Sequence, residues 1–154
     1  MKRFHYVLFL VLMSGLLGSL NLYAANESND YALFEKLFTD WTLAFNQKKL
    51  AQTCALFSKD LKADFQGAPI KSYDSICEGF KKVFRQKEKR YHYRFKINQV
   101  YRSGNLAAVR ITWYFLEYKK GRLISKTQDE GLDVFLKDSN HQWKIVNYIA
   151  YPVV

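Results

Sequence analysis

Proline is almost missing from this chain, with two in 154 residues, and glycine is sparse at seven. Pro-rich linkers, collagen-like repeats and low-complexity disorder all need those residues in quantity, so they are excluded. Histidine and cysteine are scarce too, at three and two. His92 and His141 stand alone, with no second His or Cys at ligand spacing and no H-E-x-x-H pattern, so no metal is expected. No cofactor is expected either. Neither a Ser-His-Asp order nor a phosphate-cradling glycine loop is present, which leaves nucleophilic catalysis without a candidate. Acids are outnumbered, 14 against 24 Lys plus Arg, and the formal charge of +10 attracts anionic surfaces at low salt.

Apolar residues are plentiful at 49%, aromatics at 17%, and the length suits one folded unit. The longest apolar run lies at the N-terminus. Lys2 and Arg3 precede the stretch from Tyr6 to Met13, which continues through Leu16, Leu17 and Leu20 to Ala24 and Ala25. This is the order of a secretory signal peptide over residues 1–24, with Leu22 and Ala24 at the two pocket positions before cleavage. The alternative is an uncleaved membrane anchor, although Ser14, Gly15, Gly18, Ser19 and Asn21 dilute a barely sufficient span. No Cys follows the run, which excludes a lipoprotein anchor. The protein is therefore expected to be exported, periplasmic or secreted. Loss of Lys2 and Arg3 lowers the charge from +10 by two, so the basic character belongs to the domain. In an oxidising compartment Cys54 and Cys77 are expected to form one disulfide, the alternative being two buried thiols on helix faces.

Phe34, Leu37, Phe38, Trp41 and Phe45 recur at spacings of three and four, which predicts a helix over about 30–46. Leu50, Cys54, Phe57 and Leu61 extend a second stripe, predicting a shorter helix over 49–58 and a brief extended piece to Phe65. Gly67-Ala68-Pro69 marks a turn. Ser72 or Ser75 can then cap a third helix over 72–86, with Ile76, Cys77, Phe80 and Phe84 on its apolar side. Beyond Tyr91 the period becomes two, predicting strands over about 91–101, 106–118, 123–137 and 142–151, joined by turns short enough to require antiparallel neighbours. Val109, Ile111, Trp113 and Phe115 share one face of the second strand. Helices first and a meander afterwards is an α+β order.

That order, over about 30–151, resembles the nuclear transport factor 2-like, or SnoaL-like, family. Trp41-Thr42-Leu43-Ala44-Phe45-Asn46-Gln47-Lys48-Lys49-Leu50, then Ala55-Leu56-Phe57-Ser58-Lys59-Asp60, is similar to the family's two helices and first-strand entry. Gln142-Trp143-Lys144-Ile145-Val146 resembles its last strand. The resemblance implies a cone-shaped fold, three N-terminal helices packed on a strongly bent antiparallel sheet. Against the ketosteroid isomerases of that family, Asp64 falls at the position of the general base and Asp133 at that of the second carboxyl, while the oxyanion tyrosine falls on Trp41. An isomerase or hydratase with Asp64 as base is thus one implied function. Alternation of Leu132, Val134 and Leu136 points Asp133 outward with Asp129, whereas the resemblance points it inward.

The leading expectation is an exported binding module with an apolar cone-shaped pocket, lined by Trp41, Phe45, Phe57, Phe80, Phe84 and Trp113, for a small hydrophobic ligand or partner segment. A dimeric assembly module is a further alternative, using aromatics of the outer sheet face such as Tyr114 and Tyr118. The basic run Lys81, Lys82, Arg85, Lys87, Lys89 and Arg90, followed by Tyr91, Tyr93, Arg94, Phe95 and Lys96, has the cation and ring content of a nucleic-acid surface. Export argues against nucleic acid and for an anionic envelope component.

Overall fold

The computed structural model describes residues 28–153. The expected signal peptide, residues 1–24, lies outside them. Helix α1 covers 28–46 and presents Phe34, Phe38, Trp41 and Phe45 to the core, as their spacing requires. Helix α2, Leu50–Ala55, is shorter than the expected 49–58, because Phe57 already belongs to a strand. That strand, β1, runs Phe57–Phe65. Helix α3, Tyr73–Phe84, starts at Ser72, whose Oγ accepts the Ser75 N–H at 3.3 Å. Asp74 in its first turn and Lys81 and Lys82 in its last suit the helix dipole. Strands β2, Lys89–Ser103, β3, Leu106–Lys119, β4, Arg122–Lys137, and β5, Trp143–Pro152, complete the chain.

The sheet order is β1-β5-β4-β3-β2. From β5 to β2 neighbours are antiparallel, but β1 pairs with β5 in parallel, from Phe57 opposite Ile145 to Phe65 opposite Ala150. The expected all-antiparallel sheet is corrected here: α3 and the whole meander lie between the two strands, ample chain for a parallel crossover. Nor do all three helices precede the sheet, since β1 stands between α2 and α3. The β3–β4 hairpin turns on Lys120 and Gly121, both at positive φ, the geometry of a tight two-residue turn. The ladders are interrupted between Ile97 and Gln99 in β2, and between Val134 and Phe135 of β4 opposite Ile145 and Asn147 of β5, irregularities of the kind that bend a strand.

The helices cover one face only. Phe34, Phe38, Phe45, Phe135, Ile111 and Val109 are fully enclosed between them and the sheet. Cys54 of α2 and Cys77 of α3 are joined as a disulfide with Cα atoms 5.8 Å apart.

Candidate functional site

The inner face of the curved sheet and the three helices do not close completely. They leave a cavity of about 280 Å³. Trp41 and Phe45 reach it from α1, Phe57 from β1, Phe80 from α3 and Trp113 from β3, so five of the six expected lining aromatics border it. Phe84 does not. It packs behind, its ring 5.0 Å from Phe45 and 6.5 Å from Phe80. The rings of Trp41, Tyr93 and Trp113 form a triangle with centroid separations of 5.1 to 5.6 Å. Asn46, at the end of α1, holds Tyr93 in place from both sides of its backbone: Oδ1 accepts its N–H at 2.8 Å and Nδ2 donates to its carbonyl at 3.1 Å.

Polar groups enter mainly from the sheet. On β4, Asp129, Gly131 and Asp133 face inward in succession. The sequence alternation of Leu132, Val134 and Leu136 pointed the other way; it is corrected, for Leu136 is exposed and Asp133 only 4% exposed. Burial pushes the Asp133 carboxyl up to about 7 and raises that of Asp129 as well. Among the described residues neither carboxyl receives a hydrogen bond or an ion pair. Tyr148 of β5 pairs directly across from Asp133. Burial, with Tyr93 and Asp133 nearby, drives its phenol far above the ordinary value, and burial with Asp129 does the same to Tyr93. Both phenols stay protonated and are available as donors to whatever enters.

Trp41 is not such a donor. Its indole N–H is engaged with the Thr53 carbonyl at 2.9 Å, tying α1 to α2. Asp64 is not in the cavity at all. It is exposed on the outer face of β1, whose inward side chains are Leu61, Ala63 and Phe65. A base role for Asp64 is therefore withdrawn on geometry: a proton acceptor must reach the cavity's contents, and this one points to solvent. The structure thus brings Asp133 together with five of the expected aromatics, leaves out Asp64 and Phe84, and adds Asp129, Tyr93 and Tyr148.

The basic run sorts by strand alternation. Tyr91, Tyr93 and Phe95 pack on the core, Arg94 and Lys96 are exposed, and Lys81 and Lys89 pair with Glu78 and Glu117. Apart from Lys89, which Glu117 holds, rings and cations occupy opposite faces of β2, so they form no joint surface for a polymer. Tyr114 and Tyr118, expected as exposed outer-face aromatics, are half-buried beneath Lys126 and Arg90.

A family model for the SnoaL-like domain matches residues 34–136. No curated protein sequence matches. Among solved structures the chain is similar to a ketosteroid isomerase-like protein from Erwinia carotovora atroseptica, at 20% identity and a TM-score of 0.64, covering 80% of this chain and 95% of that one. A structure described as a dehydratase of the NTF2-like family from Streptomyces avermitilis aligns at 18% identity and a TM-score of 0.65, covering 82% and 98%. One from Catenulispora acidiphila, in complex with S-DNPA, aligns at 10% identity and a TM-score of 0.71, covering 82% and 95%. At these identities the likeness establishes the fold alone.

Proposed function

The chain belongs to the SnoaL-like domain family, and on that premise we propose that it is an exported binding module whose cone-shaped interior takes a small, largely apolar molecule carrying one polar group. The observation that carries this reading is the Asp133 carboxyl, buried at the wall of an aromatic cavity with no protein partner among the described residues. Buried polar groups are normally satisfied, and an unmet one at a cavity wall is where a ligand's own polar group belongs. Tyr93 and Tyr148 add two hydroxyls to the same wall. The neighbour bound to S-DNPA supports the use of this fold for small ligands. Export is supported by the order Lys2, Arg3, apolar run, Ala24, and by the Cys54–Cys77 link. Native mass spectrometry of the protein purified from its own cells, before and after denaturation, tests the reading. A mass released on denaturation is expected; an empty protein that also fails to bind any small cyclic compound would refute it.

A dimer through the outer sheet face is a second reading, favoured by the exposed Leu106, Leu136, Ile149 and Tyr151 on adjoining strands. Light scattering after size exclusion tests it, a monomer at high concentration being the negative result.

A further inference from the structure

The cavity holds two carboxyls and, among the described residues, one cation at its wall, Lys71. Lys71 bridges Ala63, which neighbours Tyr148, which neighbours Asp133. Three strand spacings separate the backbones of Lys71 and Asp133, roughly 14 Å, and its ammonium lies over the Phe65 ring at 4.8 Å. It pairs with neither acid. Asp129 and Asp133 project from one face of β4, about 13 Å apart along the strand, and Gly131 between them packs close to the Ile111 side chain and the Ile149 carbonyl.

The surrounding rings matter as much as the acids. Trp113 lies directly across the ladder from Asp129, and Trp41 and Tyr93 pack against it. Aromatic faces are electron-rich and attract organic cations, most strongly where water is excluded. A neutral ligand filling this space would desolvate the Asp133 carboxyl further without balancing its charge. A metal ion fits no better: no third His, Cys, Asp or Glu among the described residues joins the pair, too few ligands for a hard cation.

From this we propose that the ligand is an organic amine, bound with its ammonium against Asp133 and its alkyl or aryl body toward Trp41, Trp113 and Tyr93. The inference rests on the cavity being a ligand site and names the class of ligand. The charged and titratable groups that line the cavity around the ammonium are Asp133 from β4, Tyr148 from β5 and Tyr93 from β2, with Asp129 farther along β4 and Lys71 both remote; α1 and α3 contribute none. Because Asp133 must ionise to hold the ammonium and burial keeps its carboxyl near 7, affinity rises with pH.

Calorimetric titration of the purified protein with cyclohexylamine, cyclohexanol and cyclohexanone, from pH 5 to pH 8.5, tests the proposal. Cyclohexylammonium is expected to bind best, its affinity rising about tenfold per pH unit up to 7 and levelling above. Asp133→Asn should abolish the pH slope and weaken binding at pH 8 by roughly ten- to a hundredfold, whereas Asp64→Asn, outside the cavity, should leave both unchanged. Tighter binding of the alcohol or ketone, with affinity flat or falling as pH rises, would overturn the amine proposal and leave the binding function standing. Binding of none of the three would overturn both.

Discussion

Glu130 and Asp133 sit three residues apart on β4 and face opposite sides of the sheet. On the outer side, Glu130 accepts the Thr112 hydroxyl at 2.8 Å and the Asn98 amide at 3.2 Å, and Asn98 also donates to Thr112 at 2.8 Å. On the inner side Asp133 is more deeply buried and has no such partner. Glu130, Thr112 and Asn98 are thus satisfied within the protein, and the Asp133 carboxyl at the cavity is not. Folding alone favours the reverse, since an unmet polar group costs most where water cannot reach it. The asymmetry is what a site looks like when its last partner comes from outside the chain.

The largest effect expected from breaking this contrast is at Asp133. Its folded carboxyl titrates near 7 against 3.8 for a free aspartate, so between about pH 4 and 7 the folded state keeps a proton that the unfolded chain has released. Stability therefore falls as pH rises through that window and is flat above it. Asp133→Asn should remove most of the fall, the remainder belonging to Asp129, and leave the variant more stable than its parent at pH 8 by on the order of 4 kcal/mol. Urea unfolding of both proteins at pH 5 and pH 8 measures this, and an identical pH slope in the two would contradict it.

Next in size is the disulfide, which tethers the helices over the inner face and does not touch the outer network. Reduction, or Cys54→Ser with Cys77→Ser, should cost about 3 kcal/mol for a loop of 23 residues. Hydrogen exchange should quicken in α2 and α3 well before it does at Thr112; equal loosening of both regions would show that the link does not act on the cavity side. The smallest effect sharpens the outer side of the comparison. Glu130→Ala leaves the Asn98 and Thr112 donors short of an acceptor and should cost about 1–2 kcal/mol by chemical denaturation, with ligand occupancy of the cavity unchanged.

Much of the architecture was legible from spacing. The stripe Phe34, Phe38, Trp41, Phe45 and the alternation Val109, Ile111, Trp113, Phe115 lie inward as they read, because both segments bury one continuous apolar face. Strand β1 was legible only in its second half, as the extended piece around Leu61 to Phe65; Leu50, Cys54 and Phe57 stand at helical intervals, and only the parallel partner, far along the chain, shows that Phe57 belongs to the strand. β4 misled for a different reason. Its apolar residues Leu132, Val134 and Leu136 line the outside, and the inside carries Asp129, Gly131 and Asp133, so the period is right and the face inverted. Tyr148 was hidden by the irregularity opposite Val134 and Phe135, which makes Trp143 and Ile145, then Tyr148 and Ala150, the inward residues of β5. Local rules fail at the cavity wall, where the protein departs from the best apolar packing.

The parallel pairing of β1 also separates local contacts from long-range ones. β2, β3 and β4 are consecutive antiparallel neighbours and can zip from their turns as local hairpins. β1 precedes them in the chain yet has only β5 as a sheet neighbour, so its pairing spans the whole meander. Cys54 and Cys77 flank β1, so their link closes α2, β1 and α3 into one loop. The acidic wall of Asp129 and Asp133 is thus built on local hairpins, whereas the Tyr148 wall and β1 depend on contacts made across most of the chain.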